Sequence, residues 1–215
     1  MAYLPHTVVI VTGGHLGEWA LAYIDANSYI IGADRGALFL VQHGIRPDLA
    51  VGDFDSVSPQ ELEQIQSVSK QLLRCDAFDK NYTDTELAFI KALERHPERI
   101  IIAGALGTRF DHSLANVQLL AQAEQHGVVA VIADEHNEVR LVTRSITVER
   151  GRFSMVSLLP LSAEVTGIHL QGFIYPLHNA TLAIGQSLGI SNVLDHESGT
   201  ITIDSGSLLV IHCNG

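Results

Sequence analysis

Three acidic motifs, each placed directly after an apolar run, constrain this chain more than any other feature. Residues 29–33 lead into Asp34-Arg35-Gly36, residues 49–51 into Gly52-Asp53-Phe54-Asp55-Ser56, and residues 99–106 into Gly107-Thr108-Arg109-Phe110-Asp111-His112. If the runs are parallel strands, their carboxyl ends open onto one crevice, where open α/β sheets bind ligands. Carboxylates gathered there repel one another unless a cation joins them. The expectation is a Mg²⁺-dependent site for a phosphorylated ligand.

The spacing between motifs supports that sheet. Residues 7–12 read as a buried strand ending at Gly13-Gly14, and a helix is expected over 17–26. A second helix is expected over 36–43, with Gly44 just beyond it. Ser58-Pro59-Gln60-Glu61 and Thr83-Asp84-Thr85-Glu86 both have the capping-box pattern, and the first carries Pro at the first helical position. Residues 111–126 read as a further helix, stopped by Gly127. Residues 70–74, 99–106 and 128–133 are strand-like. Strands alternating with helices imply a mostly parallel sheet covered on both faces.

Near Asp134 the pattern changes. Short runs follow at 138–143, 145–148, 153–159, 164–169, 180–184, 200–203 and 208–212, with turn residues between them. Asp204-Ser205-Gly206-Ser207 reads as a hairpin turn. The expected fold is an α/β N-terminal domain with a mostly parallel sheet (residues 1–136), then an all-β sandwich domain (residues 137–215).

Composition narrows the function classes. With 47% hydrophobic and 17% charged residues the chain can bury a sizeable core. A net charge of −11 argues against a nucleic acid or an anionic membrane as partner. Cys75 and Cys213 have no metal-site spacing. The N-terminal residues lack the basic region of a signal peptide, and no apolar run is long enough to span a bilayer, so a cytoplasmic location is expected.

Several side chains are candidates for chemistry. In an extended segment Asp53 and Asp55 would face the same way and offer hard oxygen ligands for Mg²⁺, although both types are also common in solvated turns. Asp84 suits a helix start electrostatically, and becomes a site candidate if that start faces the crevice. Thr83 reads as its cap. Lys80 is either a phosphate contact or a surface cation. Arg109 can hold phosphate oxygens in two directions, and Asp111 can accept from a substrate hydroxyl or cap a helix. His112 fits a polar helix start. Gly13-Gly14 would let a nucleotide approach the backbone, but neither GxGxxG nor GxxxxGK[ST] occurs. Further on, Gly189-Ile190-Ser191-Asn192 reads equally as a turn or a ligand loop, and Tyr175 as core or as a stacking ring.

The ordered set GADRG (32–36), PDLAVGDFDS (47–56), DKNYTDTE (79–86), GALGTRFDH (104–112), GFIYPL (172–177) and GISN (189–192) resembles the thiamine pyrophosphokinase family over nearly the whole chain. The resemblance implies Mg²⁺-assisted transfer of the diphosphate of ATP to the hydroxyl of thiamine. It also implies a homodimer with sites shared between subunits. Carried over by motif, Asp53, Asp55 and Asp84 would handle Mg²⁺, and Asp34 the nucleotide and metal side. Lys80 and Arg109 would contact phosphates, with Arg35 as a further contact. Asp111 would hold the thiamine hydroxyl, and Ser191, Asn192 and Tyr175 would approach the vitamin. Asn81 stands where relatives commonly have Asp. A Mg²⁺ phosphohydrolase and a non-catalytic nucleotide- or thiamine-binding module are the alternatives.

Overall fold

Uninterrupted apolar strands such as β1 (Thr7–Val11, TVVIV) can be buried on both faces only if helices cover both sides of their sheet. The computed structural model, which describes residues 7–75 and 81–214, has that arrangement in its first part. After β1 come β2 (Tyr29–Ala33), α1 (Arg35–Gln42), β3 (Leu49–Gly52), α2 (Pro59–Val68), β4 (Leu72–Arg74), α3 (Asp84–Leu93), β5 (Arg99–Ala103), α4 (Phe110–Gln125) and β6 (Val129–Ala133). The six strands are parallel, in the order β4-β3-β2-β1-β5-β6. Strand order therefore reverses at β1, and the crevice between the ends of β1 and β5 is a topological switch point.

Local chemistry sets the helix starts. Ser58 accepts from the Glu61 N–H while Glu61 accepts from the Ser58 N–H, so the capping box closes with Pro59 in the first turn. Thr83 accepts from the Glu86 N–H at 3.1 Å and caps α3. The helix expected over 17–26 is instead a 3₁₀ segment, Glu18–Tyr23. Gly17 offers it no side-chain cap, and the Asn27 N–H bonds to Asp25 Oδ1 at 2.7 Å, a turn that competes with helical continuation. The apolar run at 99–106 leaves the sheet after Ala103, because the Gly14 and His15 amides take the carbonyls of Gly104 and Leu106.

The chain divides at Glu135/His136 into two compact units. In the second, β7 (Asn137–Val142), β8 (Ser145–Glu149), β9 (Met155–Pro160), β10 (Glu164–Gln171), β11 (Leu177–Ala183), β12 (Ser198–Thr202) and β13 (Leu208–Cys213) follow in sequence. They form two antiparallel layers, β7-β13-β9 and β11-β10-β12-β8. Val142, Leu158, Leu208 and Val210 of one layer and Val148, Ile168, Leu182 and Ile201 of the other share one buried cluster, so this unit is a β-sandwich. The turn at 204–207 is not a hairpin. β12 and β13 lie in different layers, and Ser205 bridges to Thr166 of β10, so the segment carries the chain from one sheet to the other. Among the described residues no helix is long and apolar enough to cross a membrane.

Candidate active site

At the carboxyl edge of the parallel sheet lies a cavity of about 810 Å³. Its walls include Thr12, Gly13 and Gly14 after β1, Asp34 after β2, Asp53 after β3, residues 81–86 at the start of α3, and Gly104, Thr108, Arg109, His112, Ser113 and Asn116 after β5. Gly14 is needed on steric grounds: a Cβ there would stand 2.2 Å from the Gly104 carbonyl oxygen. The glycine turn and the loop after β5 thus close on each other across the switch point.

The acidic turn after β3 is not extended. Gly52 has φ +147°, Phe54 φ +59°, and the Asp55 N–H bonds back to Asp53 Oδ1 at 3.0 Å. Phe54 is buried against Ala37, Leu38, Ala50 and Ile65, which pins the turn in this unfavourable conformation. The two carboxylates are therefore brought together by a tight turn, not by strand alternation. Asp34, with φ +49°, joins them: one oxygen from each of Asp34, Asp53 and Asp55 lies within 4.8 Å of the others. Asp34 Oδ2 accepts from the Ser56 hydroxyl, while Oδ1 is buried without a hydrogen-bond partner. Burial, opposed by bonds from Ser56 and the Arg35 N–H, raises the Asp34 carboxyl above its ordinary range, and the charges of Asp55 and Asp53 add to the rise. Three converging carboxylates with a buried oxygen left over make a donor set that fits a hard divalent cation.

Asp84 stands beside this trio and is not one of the three. Burial first, then the charges of Asp34 and Asp53, push its carboxyl up to about 6. A Cβ on Gly52 would lie 3.2 Å from Asp84 Oδ1 and 3.4 Å from the Asp34 nitrogen, so a bare backbone at 52 lets these two acids approach β3.

Arg109, in the cavity lining, forms a two-pronged ion pair, 2.6 Å and 3.3 Å, with the exposed Asp111, which is not itself part of that lining. The Arg109 guanidinium holds the Asp111 carboxyl below its usual range. Thr83, Arg109 and His112 line the cavity. Arg35 lies off it, in an adjoining recess of about 200 Å³ that shares Gly13 and Gly14. Lys80 falls outside the described residues. Sequence reasoning missed Thr12, Thr85, Ser113 and Asn116, all cavity-lining, because small polar residues at strand and helix ends carry no distinctive pattern.

This geometry coincides with two family matches. Residues 20–132 match the thiamin pyrophosphokinase catalytic domain and residues 143–208 the thiamin pyrophosphokinase vitamin B1 binding domain. The chain is 35% identical over 209 residues to the thiamine pyrophosphokinase of Bacillus subtilis (strain 168), covering 95% of this chain and 97% of that one. The chain belongs to the thiamin pyrophosphokinase family. Crystal structures of the thiamine pyrophosphokinase from Bacillus subtilis (TM-score 0.90, 32% identity, 97% of this chain and 99% of that one) and of the thiamin pyrophosphokinase from Geobacillus thermodenitrificans (0.87, 32%, 97% and 98%) share its fold.

In the domain that matches vitamin B1 binding, the sequence candidates divide. Tyr175 is 66% exposed, and Ser191, in the left-handed region at φ +58°, is exposed too. Asn192 is 5% exposed, and its side chain is committed to the protein. Its Oδ1 accepts from the N–H groups of Tyr175 and Val193, and its Nδ2 donates to the Tyr175 carbonyl at 2.7 Å. Asn192 therefore shapes the Tyr175 loop. Asn192→Ala is expected to cost about 3 kcal/mol, because it orphans several backbone groups at once. Chemical denaturation measures this; a cost below about 1 kcal/mol would contradict the structural role.

Proposed function

We propose that the chain transfers the diphosphate of ATP to the primary hydroxyl of thiamine, giving thiamine diphosphate and AMP, with Mg²⁺ held by Asp34, Asp53 and Asp55. The observation that carries this reading is the convergence of those three carboxylates, two of which, Asp34 and Asp53, line a cavity also bordered by helix N-termini. Helix starts favour phosphate, whereas carboxylates repel it. A divalent cation between acid and polyphosphate reconciles the two, and when bound it supplies charge neutralisation on the phosphates.

The chain's own groups do the rest. Phosphoryl transfer depends mainly on alignment, so the hydroxyl oxygen must lie in line with the bond from the β-phosphorus to the leaving AMP oxygen. Asp111, ionised and paired with Arg109, accepts a hydrogen bond from that hydroxyl and orients it. A carboxylate held this acidic is a weak base, so the proton leaves late, once the new O–P bond has made the oxygen acidic. Arg109 Nη1, which takes no part in the pair with Asp111, donates to the phosphate charge as it develops.

The same proposal includes a homodimer in which Tyr175 and Ser191 of the partner subunit approach the thiamine. Supporting it, Ile174, Tyr175, Leu188 and Ile190 are exposed around Ser191, and Tyr82, Phe110 and Leu114 are exposed near the cavity. A cytoplasmic location belongs to it as well, since ATP and Mg²⁺ are abundant there.

One assay tests the reaction. Purified protein with ATP and Mg²⁺ is expected to form AMP and thiamine diphosphate in equal amounts, only when thiamine is present. Phosphate release independent of thiamine would replace the proposal with a hydrolase. Ligand binding with no AMP formed would replace it with a binding module.

A further inference from the structure

Two of the few buried polar side chains among the described residues, Thr12 (6% exposed) and Thr85 (7% exposed), meet in the cavity wall. Their hydroxyl oxygens are 2.7 Å apart, across 73 positions of sequence. Thr12 is the first residue after β1 and begins the Gly13-Gly14 turn. Thr85 is the second residue of α3, next to Asp84. A pair of valines would fill almost the same volume there, and replacing both partners of a buried hydrogen bond with apolar groups of like shape is often neutral or stabilising. Stability alone therefore gives no reason for two hydroxyls at this spot. A hydrogen bond, unlike a methyl contact, fixes direction and separation.

What it fixes lies along a short chain of contacts. Thr12 holds Thr85. Thr85 sits in the turn of α3 that carries Asp84. The Asp84 carboxylate lies against Gly52, its Oδ1 3.2 Å from where a Cβ there would stand, and Gly52 leads into the turn that Asp53 Oδ1 closes by accepting the Asp55 N–H. The Thr83 cap holds the start of α3 from within the helix, whereas the Thr12 bond ties it to the end of β1. We propose that the Thr12–Thr85 hydroxyl pair is a positioning device: it ties the first turn of α3 to the end of β1 and so holds Asp84, and through it the acidic turn, in the geometry that receives the divalent cation. The inference rests on the reading of Asp34, Asp53 and Asp55 as a cation site.

The test uses Mn²⁺ in place of Mg²⁺ on the full-length protein, with free Mn²⁺ read by electron paramagnetic resonance and no substrate present. Thr85→Val is expected to weaken Mn²⁺ binding about tenfold, in the range seen when groups that orient metal ligands are removed. It should lower kcat by a similar factor and leave KM for thiamine unchanged. Thr85→Ser, which keeps the hydroxyl, should restore binding to within about twofold. Thr12→Val provides the same comparison from the other side of the bond if Thr85→Val folds poorly. The Thr12→Val, Thr85→Val double variant should regain thermal stability without regaining Mn²⁺ affinity. Wild-type Mn²⁺ affinity in any folded valine variant, or recovery of affinity in the double variant, overturns the positioning role. Failure of the wild type itself to bind Mn²⁺ overturns the cation-site reading, and this inference with it.

Discussion

Asp55→Asn is expected to lower turnover about 10²–10³-fold at saturating ATP and thiamine, with no loss of fold stability. The side chain is exposed on the acidic turn, and its backbone N–H, not its carboxylate, makes the bond to Asp53. The amide preserves shape and removes one of three converging charges. In metal-free buffer the substitution relieves repulsion, so thermal unfolding with chelator present should occur at the wild-type temperature or above it. Asp53→Asn should behave alike in turnover, with less gain in stability, because its Oδ1 also accepts the turn's hydrogen bond. Steady-state kinetics and a thermal melt in chelator, run on the same preparations, decide the matter. Activity lost in proportion to a lowered melting temperature would assign Asp55 to the fold and not to the chemistry.

Asp84→Asn is the second large effect, and it has opposite signs in two measurements. Burial and the neighbouring acids raise the folded carboxyl from its ordinary 3.8 to about 6. Between those values the folded chain keeps a proton that the unfolded chain has released. Stability is therefore greatest below the lower value and falls as pH rises through the upper one. The full shift corresponds to about 3 kcal/mol, and solvent screening of this half-buried group leaves about 1–2 kcal/mol. Asparagine cannot ionise and keeps nearly the same shape. In chelator the variant should exceed the wild type by about 1–2 kcal/mol near pH 7.5, with the difference vanishing toward pH 4. Turnover should nonetheless fall about 100-fold, because the charge that opposes folding supports the cation. Urea denaturation at both pH values measures the first claim; a variant less stable than wild type near pH 7.5 would refute it.

These two acids also mark how far the sequence could be read. The apolar runs before Asp34 and Asp53 identified buried parallel strands, and a capping pattern at Ser58 identified a helix start, because such signals are local. The grouping of carboxylates is not local. Asp53 and Asp55 converge because Phe54 is buried at positive φ, a conformation no periodicity reveals. Asp34 joins them because β2 and β3 are neighbours in the sheet, which depends on strand order. Asp84, placed among the ligands by motif, stands beside Gly52 and next to that trio, a position that depends on how α3 packs against β3. In the second unit the crossing at 204–207 has the composition of a hairpin, and only the pairing of β12 with β8 and β10, and of β13 with β7 and β9, distinguishes the two. Asn192 illustrates the same limit: its sequence context fits a ligand contact as well as it fits the loop clasp that the hydrogen bonds reveal.

A crystal of the protein grown with Mn²⁺ and a non-hydrolysable ATP analogue, measured at a wavelength where manganese scatters anomalously, addresses the central claim directly. The account places the anomalous peak in contact with carboxylate oxygens of Asp34, Asp53 and Asp55, with analogue phosphate oxygens completing the coordination. A fully bound analogue whose Mn²⁺ sits away from all three side chains would contradict it.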